Sequence, residues 1–598
     1  MNKFIQFRDK CRESKYVTLI IFCFLAINLF LQCVISHCQI FNSILISSII
    51  SQPVVALSFY APKLIISLSL ASFVFLFKDK RWSVIISIIV NVWIYAELMY
   101  FRANHLTLDS YTMTMVSNME GFWSSLLLLI NPIDVIYFIL SLVFLALTCI
   151  FNNNKFEWKT FLVVFVVCLM ANTIDCFVKW KKIDNEHSKM LIELIGESGD
   201  EIFPPGANGQ RVDLFLHPFS FDMVGQLYGT IDKYLYDYSI IHALLYNLKE
   251  LISMKSDKTE LDNINLDLLN HGSIDVSHDG KLLICLIESL ENWVITPDYT
   301  PNLFKLSKMS NILYCNKITS QARRGTSADG QMIAVTGMLP IRGGAVCFRY
   351  PHNRFPSVFE IYKKEPNCAF FPHNLTVWNQ EEMSKAYMID TNYVVPEYDN
   401  VLFRTVCDSA RYYSNMLFIT SSTHSPFTKQ SDSSRLSVLD DMPKFMKAYI
   451  KSCNYMDESV KILIDHIEND PVFSDYTIVI TGDHTIFQDE KRDEFVQYCK
   501  EKKLELSVEE AYCPLIVYSP KINGNINITD IAYQMDIYPT ILHLIGCEDY
   551  YWKGFGVNLL DSVARNNRPI TEDEAFELSD KIIRADYFRT YLDSLHNY

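Results

Sequence analysis

Residues 323–327, Arg-Arg-Gly-Thr-Ser, set two hydroxyls behind a glycine and a pair of guanidinium groups. An unaided hydroxyl is a poor nucleophile near neutral pH, but a cation bound to its oxygen stabilises the alkoxide. Residue types that hold such a cation stand at two other points of the chain. Glu288 follows the apolar run 282–287, and Asp483 with His484 follows the apolar run 476–482. With Thr326 Oγ they make a four-ligand set of three oxygens and one imidazole nitrogen, which suits Zn²⁺ or Mn²⁺ and is compatible with Mg²⁺. Singly, Glu288 reads as a cap partner and Gly-Asp-His as a turn. The conjunction of all four, in this order, carries the metal reading.

The elements that must position these residues begin at residue 281. Short apolar runs, "KLLICLIESL", "NMLFITSSTH", "YTIVITGDH" and "CPLIVYSP", alternate there with amphipathic helical patterns. That rhythm predicts an α/β domain over 279–598 with a largely parallel sheet, whose ligands collect where strands end. His424, after "LFITSST", is a further polar residue at a strand end. Residues 183–278 are expected to form a connector, with apolar residues at helical spacing over 235–254.

The first 182 residues read as a multi-pass helical membrane domain. Apolar runs at 16–36, 56–77, 83–101, 132–151 and 160–178 each approach the ~20 residues of a spanning helix. The basic N-terminal segment and the "KDKR" loop at 78–81 mark the inner side, so five spans put residue 183 onward on the periplasmic or extracellular side. Glu97 and Asp175 fall within spans near the outer end, where they read as interfacial residues or as a lining for a lipid headgroup. Residues 1–182 hold 15 Lys and Arg against 9 Asp and Glu, a net of +6; the remainder holds 38 against 59, a net of −21. The acidic half argues against a nucleic-acid partner. Nine cysteines beyond residue 182, with no CxxC, argue against a dense disulfide framework and leave room for one or two bridges.

The order "LIESLENW", "TPNLFKL", "RRGTSADGQ", "TSSTHSPF", "YMDESVKILIDHI", "TIVITGDH", "QMDIYPTILHLIG" resembles the alkaline phosphatase and sulfatase superfamily. With five spans ahead of it, the chain is most similar to the lipoteichoic acid synthase and phosphoglycerol transferase branch. The resemblance implies a sulfatase-like catalytic domain outside a bacterial cell membrane, with Thr326 as covalent nucleophile and Glu288, Thr326, Asp483 and His484 as metal ligands. It places His424 beside the substrate phosphate and implies that His373, Trp378 and Asn379, in "FFPHNLTVWNQEEM", contact the headgroup. The arginine expected two residues after the tryptophan is Gln380 here, and an amide does not clamp a phosphate as a guanidinium does. Arg323, Arg324 and Arg354 are the candidate replacements, and Arg324 is taken as a substrate contact. The donor implied is a membrane phospholipid, most simply phosphatidylglycerol, and the acceptor an envelope glycolipid, glucan or polymer.

Three other readings compete. A sulfatase needs Cys or Ser followed by Pro or Ala and then Arg for formylglycine conversion, and "TSADG" lacks that pattern. A phosphoethanolamine transferase shares the spans, nucleophile and ligand types, but its usual turns differ from "IESLENW" and "RRGT". A catalytically silent lipid- or polymer-binding membrane protein has no need of an intact nucleophile and ligand set.

Overall fold

The computed structural model describes residues 16–41, 64–104, 130–151, 155–171, 174, 272–341, 345–395, 398–432, 436, 438–486, 489–589 and 591. They fall into two compact units. Asp175 and the connector up to residue 271 lie outside the described residues.

The first unit contains helices α1 (Val17–Phe41), α2 (Val84–Asn104) and α3 (Val135–Phe151), with shorter apolar helices at Leu64–Leu76 and Trp158–Ala171. Each falls on one of the five apolar runs. Among the described residues two helices are long and apolar enough to cross a membrane, Val17–Ile35 and Pro132–Phe151. Burial in this unit is inverted relative to a water-soluble bundle. Ile89, Val92 and Leu142 are each more than 60% exposed, whereas Gln32 and Ser87 are 0% and Asn91 is 3% exposed. The interior polar groups bond across helices: Gln32 Nε2 and Ser87 Oγ donate to Asn28 Oδ1, both at 2.8 Å, and Ser87 Oγ meets Ser141 Oγ at 2.9 Å. Polar side chains inside and apolar ones outside are the pattern of helices packed within hydrocarbon. In the "KDKR" loop, Lys80 is buried and donates to the Phe77 and Lys155 carbonyls, each at 2.6 Å, and Arg81 pairs with Asp79. Part of that loop's charge is therefore structural.

The second unit is an α/β domain built on a nine-stranded sheet. In chain order the elements are β1 (Lys281–Ile287), α4 (Pro301–Ser307), β2 (Ile312–Thr319), α5 (Thr326–Thr336), β3 (Asn367–Phe371), α6 (Gln380–Tyr387), β4 (Thr391–Val394), α7 (Asp399–Ser409) and β5 (Asn415–Ile419). There follow α8 (Lys444–Asn469), β6 (Tyr476–Gly482), α9 (Asp489–Lys502), β7 (Tyr512–Tyr518), β8 (Asn525–Ile528), β9 (Ala532–Tyr533), α10 (Ile537–Leu544) and α11 (Glu572–Arg584). Strand order is β4-β3-β5-β1-β6-β7-β2-β8, with β9 also on β2. Only the two pairings of β7 are antiparallel. The strands that precede the candidate site residues, β1, β2, β3, β5 and β6, consequently all run in one direction.

The central strand is apolar on both faces because both faces are covered. Along β1, Leu282, Ile284 and Leu286 join the core that includes α5, α10 and α11, while Leu283, Cys285 and Ile287 join the core that includes α7 and α8. The alternation follows from the two-residue repeat of a strand. All nine cysteines of this unit are buried and none forms a disulfide, so the one or two bridges left open by the sequence do not form.

Candidate active site

Register brings the site together. Ile287 pairs with Gly482 and Leu286 with Ile419, so the residues just beyond β1, β5 and β6 emerge side by side at the carboxyl edge of the sheet. Glu288, Asp483 and His484 come first out of β1 and β6 and meet there. All three are buried, and their ligand atoms lie within 4.8 Å of one another. His484 Nε2 is 3.3 Å from Glu288 Oε1 and 3.7 Å from Asp483 Oδ2. The other imidazole nitrogen, Nδ1, meets the Thr485 carbonyl at 2.8 Å, which leaves Nε2 for the cluster.

Asp483 is fixed from both sides. Its Oδ1 accepts the backbone N–H groups of Ser289 and His484, each at 2.7 Å. Its carbonyl accepts Gln534 Nε2 at 2.7 Å, and the same Gln534 side chain accepts the Gln321 N–H at 2.7 Å. One glutamine thus ties the β6 turn to the segment leading into the nucleophile. Oδ2 of Asp483 is fully buried without a hydrogen bond, a costly condition for a carboxylate oxygen unless something else binds it.

The charges point the same way. Burial works against an imidazolium at His484, yet the Asp483 and Glu288 carboxylates raise its pKa to about 10. Burial likewise opposes ionisation of Glu288, but the neighbouring His484 holds it well below the usual carboxylate range. Burial and the Glu288 charge together push Asp483 up to about 7. A positive charge at the centre of the three is what the arrangement demands. The donor set, with its unbonded Asp483 oxygen, fits a divalent cation.

The nucleophile turn follows β2. Gly325 caps α5, and Thr326 begins the helix with a φ of 38°, a left-handed conformation that costs a β-branched residue energy. Asp329 maintains it: its Oδ2 accepts the N–H groups of Arg323 and Gly325, both at 2.9 Å. A Cβ on Gly325 would lie 2.1 Å from Asp329 Oδ1, so only glycine fits. The hydroxyl bonded to the cluster is that of Ser327, which donates to Glu288 Oε2 at 2.9 Å and lies 3.4 Å from His484 Nε2. Thr326 is half-buried beside it. On the opposite face of the turn, the Arg323 guanidinium stacks on Phe576, 3.7 Å from the ring centroid.

His424 is exposed on the loop after β5, with Nδ1 at 2.5 Å from the Ser425 carbonyl. Its loop is tied to the Glu288 backbone twice. Thr420 Oγ1 accepts the Glu288 N–H at 3.1 Å, and Thr423 Oγ1 donates to the Glu288 carbonyl. His373, Trp378 and Asn379 lie beyond β3, on a segment in which Trp378 and Asn379 have φ of 52° and 51°. Trp378 packs on Phe348, and Asn379 Nδ2 donates to the Cys347 carbonyl at 2.8 Å. Gln380 is 5% exposed and donates to Gln331 Oε1 on α5 at 2.7 Å. The residue standing where an arginine was expected therefore links the segment after β3 to the helix that begins at Thr326. Arg354 is engaged elsewhere, paired with Glu360 at 2.6 Å, which leaves Arg323 and half-buried Arg324 as the guanidinium groups beside the nucleophile.

Sequence reading did not assign roles to Asp329, Gln534 or Gln321. A carboxylate three residues into a helix that starts at Gly-Thr-Ser was the available signal for Asp329. Nothing local marks the two glutamines, whose partners lie more than 50 residues away.

The sulfatase family matches residues 298–547, and the lipoteichoic acid synthase N-terminal domain family matches residues 1–191. The catalytic half is thus a sulfatase-superfamily domain. In both halves the chain is similar to the lipoteichoic acid synthases, an N-terminal domain of that type standing ahead of a sulfatase-type domain. It is 22% identical over 531 residues to lipoteichoic acid synthase 2 of Bacillus subtilis strain 168, covering 82% of this chain and 76% of the relative. It is 22% identical over 533 residues to lipoteichoic acid synthase of Staphylococcus aureus strain USA300, covering 83% and 78%. Among solved structures, lipoteichoic acid synthase LtaP from Listeria monocytogenes aligns with a TM-score of 0.42 at 17% identity, over 54% of this chain and 94% of that one.

Proposed function

We propose that the protein is a membrane-bound, metal-dependent phosphotransferase that moves glycerol phosphate from phosphatidylglycerol to an envelope acceptor through a covalent phosphothreonine at Thr326. The observation that carries this reading is the buried Glu288, Asp483 and His484 cluster, with an unbonded Asp483 oxygen, at the start of the helix that presents Thr326 and Ser327. Similarity to lipoteichoic acid synthases along both halves of the chain supports phosphoglycerol transfer over sulfate-ester hydrolysis. The inverted burial of the first unit and its two long apolar helices support a membrane anchor, with the catalytic domain on the extracytoplasmic side where an outer-leaflet donor is accessible.

Glu288, Asp483 and His484, together with Thr326, would hold the ion, Mn²⁺ or Zn²⁺ with Mg²⁺ an alternative. When bound it supplies Lewis-acid stabilisation of the Thr326 alkoxide and of charge developing on the phosphodiester. The strained turn sets Thr326 beside Ser327, whose hydroxyl bonds Glu288, and Thr326 would reach the phosphorus from there. His424, exposed and tethered to Glu288, holds a phosphate oxygen or gives a proton to the departing diacylglycerol oxygen. Arg324 neutralises the phosphate from the α5 side, and His373, Trp378 and Asn379 line the headgroup position. The acceptor hydroxyl then displaces Thr326 from phosphorus, and the glycerol phosphate is passed to the glycolipid, glucan or polymer.

Intact-protein mass spectrometry of wild type and Thr326→Ala, each incubated with Mn²⁺ and phosphatidylglycerol or phosphatidylethanolamine, tests this. A glycerophosphate adduct is expected on wild type alone, and turnover in the variant should fall on the order of 1000-fold or more. A phosphoethanolamine adduct instead would establish the competing transferase. Unchanged turnover in Thr326→Ala would remove the threonine from the mechanism.

A further inference from the structure

Glu291 lies three residues beyond Glu288 and is completely buried. Its Oε2 accepts the Trp293 indole N–H at 2.6 Å, and its Oε1 accepts the Ile486 backbone N–H at 2.8 Å while pairing with Arg492. Ile486 lies two residues beyond His484. One carboxylate therefore bonds the β6 turn to the β1 turn, the two turns that carry the metal-ligating residues. Arg492, itself 7% exposed on α9, donates through its other arm to the Val508 carbonyl at 3.2 Å. The β1 turn is braced from behind by Tyr449 of α8, whose hydroxyl accepts the Glu291 N–H at 3.0 Å and donates to the Ser289 carbonyl at 2.8 Å.

A buried ion pair by itself stabilises a fold little, since desolvation offsets the attraction. Its location is the informative part. The Glu291 carboxylate reaches donors on both sides of the cluster, the Trp293 indole just beyond the β1 turn and the Ile486 N–H of the β6 turn. We propose that Glu291 is a positioning residue that sets the distance between Glu288 and the Asp483-His484 pair through its bond to the Ile486 N–H, with Arg492 holding its carboxylate in place. The proposal rests on the reading of those three residues as metal ligands.

The experiment uses the full chain in detergent, stripped of metal, and measures Mn²⁺ and Zn²⁺ affinity by chelator competition well below the melting temperature. Asp483→Asn is the control for the underlying reading, and should abolish binding. Glu291→Leu/Arg492→Met removes the acceptor and the pair together, replacing them with apolar groups of similar size. It is expected to melt close to wild type but to bind metal ~10- to 100-fold more weakly, with kcat at limiting metal reduced and KM for the lipid unchanged. Glu291→Gln/Arg492→Met keeps an acceptor for Ile486 without leaving a charge unpaired, and its affinity should return to within a few-fold of wild type. Wild-type affinity in the leucine variant, or equal weakness in both double variants, overturns the positioning role. Wild-type affinity in Asp483→Asn overturns the metal reading itself, and the inference with it.

Discussion

Thr326 occupies a backbone conformation that a β-branched residue avoids, and what keeps it there is a pair of hydrogen bonds to the Asp329 carboxylate. Strain of this kind costs on the order of 1–3 kcal/mol and persists only where the surroundings impose it. Gly325→Ala forces its new Cβ against Asp329, so the turn must open. The expected result is kcat reduced about 10- to 100-fold, as for a small misplacement of a reacting group, with KM little changed; steady-state kinetics beside circular dichroism measure it. At this scale the meeting of Glu288, Asp483 and His484 is legible in the sequence, because each stands within two residues of the end of an apolar strand. Ser327, Asp329, Glu291 and Gln534 are not, since their roles depend on partners brought near by the sheet rather than by spacing.

Among elements, α4 begins against Asp457 of α8. That buried carboxylate accepts the Asn302 N–H at 2.9 Å and the Leu303 N–H at 2.7 Å. Burial nevertheless pushes Asp457 from 3.8 up to about 6. With the folded value above the unfolded one, the protonated form favours the fold: the contribution is complete below about 4 and is lost as pH rises through 6, amounting to about 3 kcal/mol. Asp329 and Asp399, likewise pushed up to about 6 by burial, act in the same window and in the same direction. The melting temperature of the catalytic unit should therefore decline between pH 4 and 6, and the decline should be shallower in Asp457→Asn, as calorimetry across that range would record. Strands β1, β5, β6 and β7 are legible as unbroken apolar runs. β2 is harder to read because Asn316 and Lys317 interrupt it at a register shift between Cys315 and Ile318, and β4 and β8, four residues each, are too short to announce themselves. Of the five apolar runs in the N-terminal part, two coincide with helices that pass as spans among the described residues, and the runs at 56–77 and 160–178 lie only partly within those residues.

Across the whole molecule the two units differ in what they leave exposed, the first presenting many large apolar side chains outside its core, and ligand binding should distinguish them. A divalent ion at about 100 times its dissociation constant stabilises the state that binds it by about 2.7 kcal/mol. That gain belongs to the catalytic unit alone, so added Mn²⁺ should delay its unfolding and leave the helical unit's transition where it was. The nine buried cysteines of the catalytic unit turn this into something that can be timed. A thiol reagent can reach none of them in the native state, and burial raises the pKa of thiols such as Cys285, Cys368 and Cys513, which slows any reaction that begins with the thiolate. Alkylation of these positions, resolved peptide by peptide, therefore runs as a clock of opening events distributed through both layers of the sheet, ticking more slowly when the ion is bound.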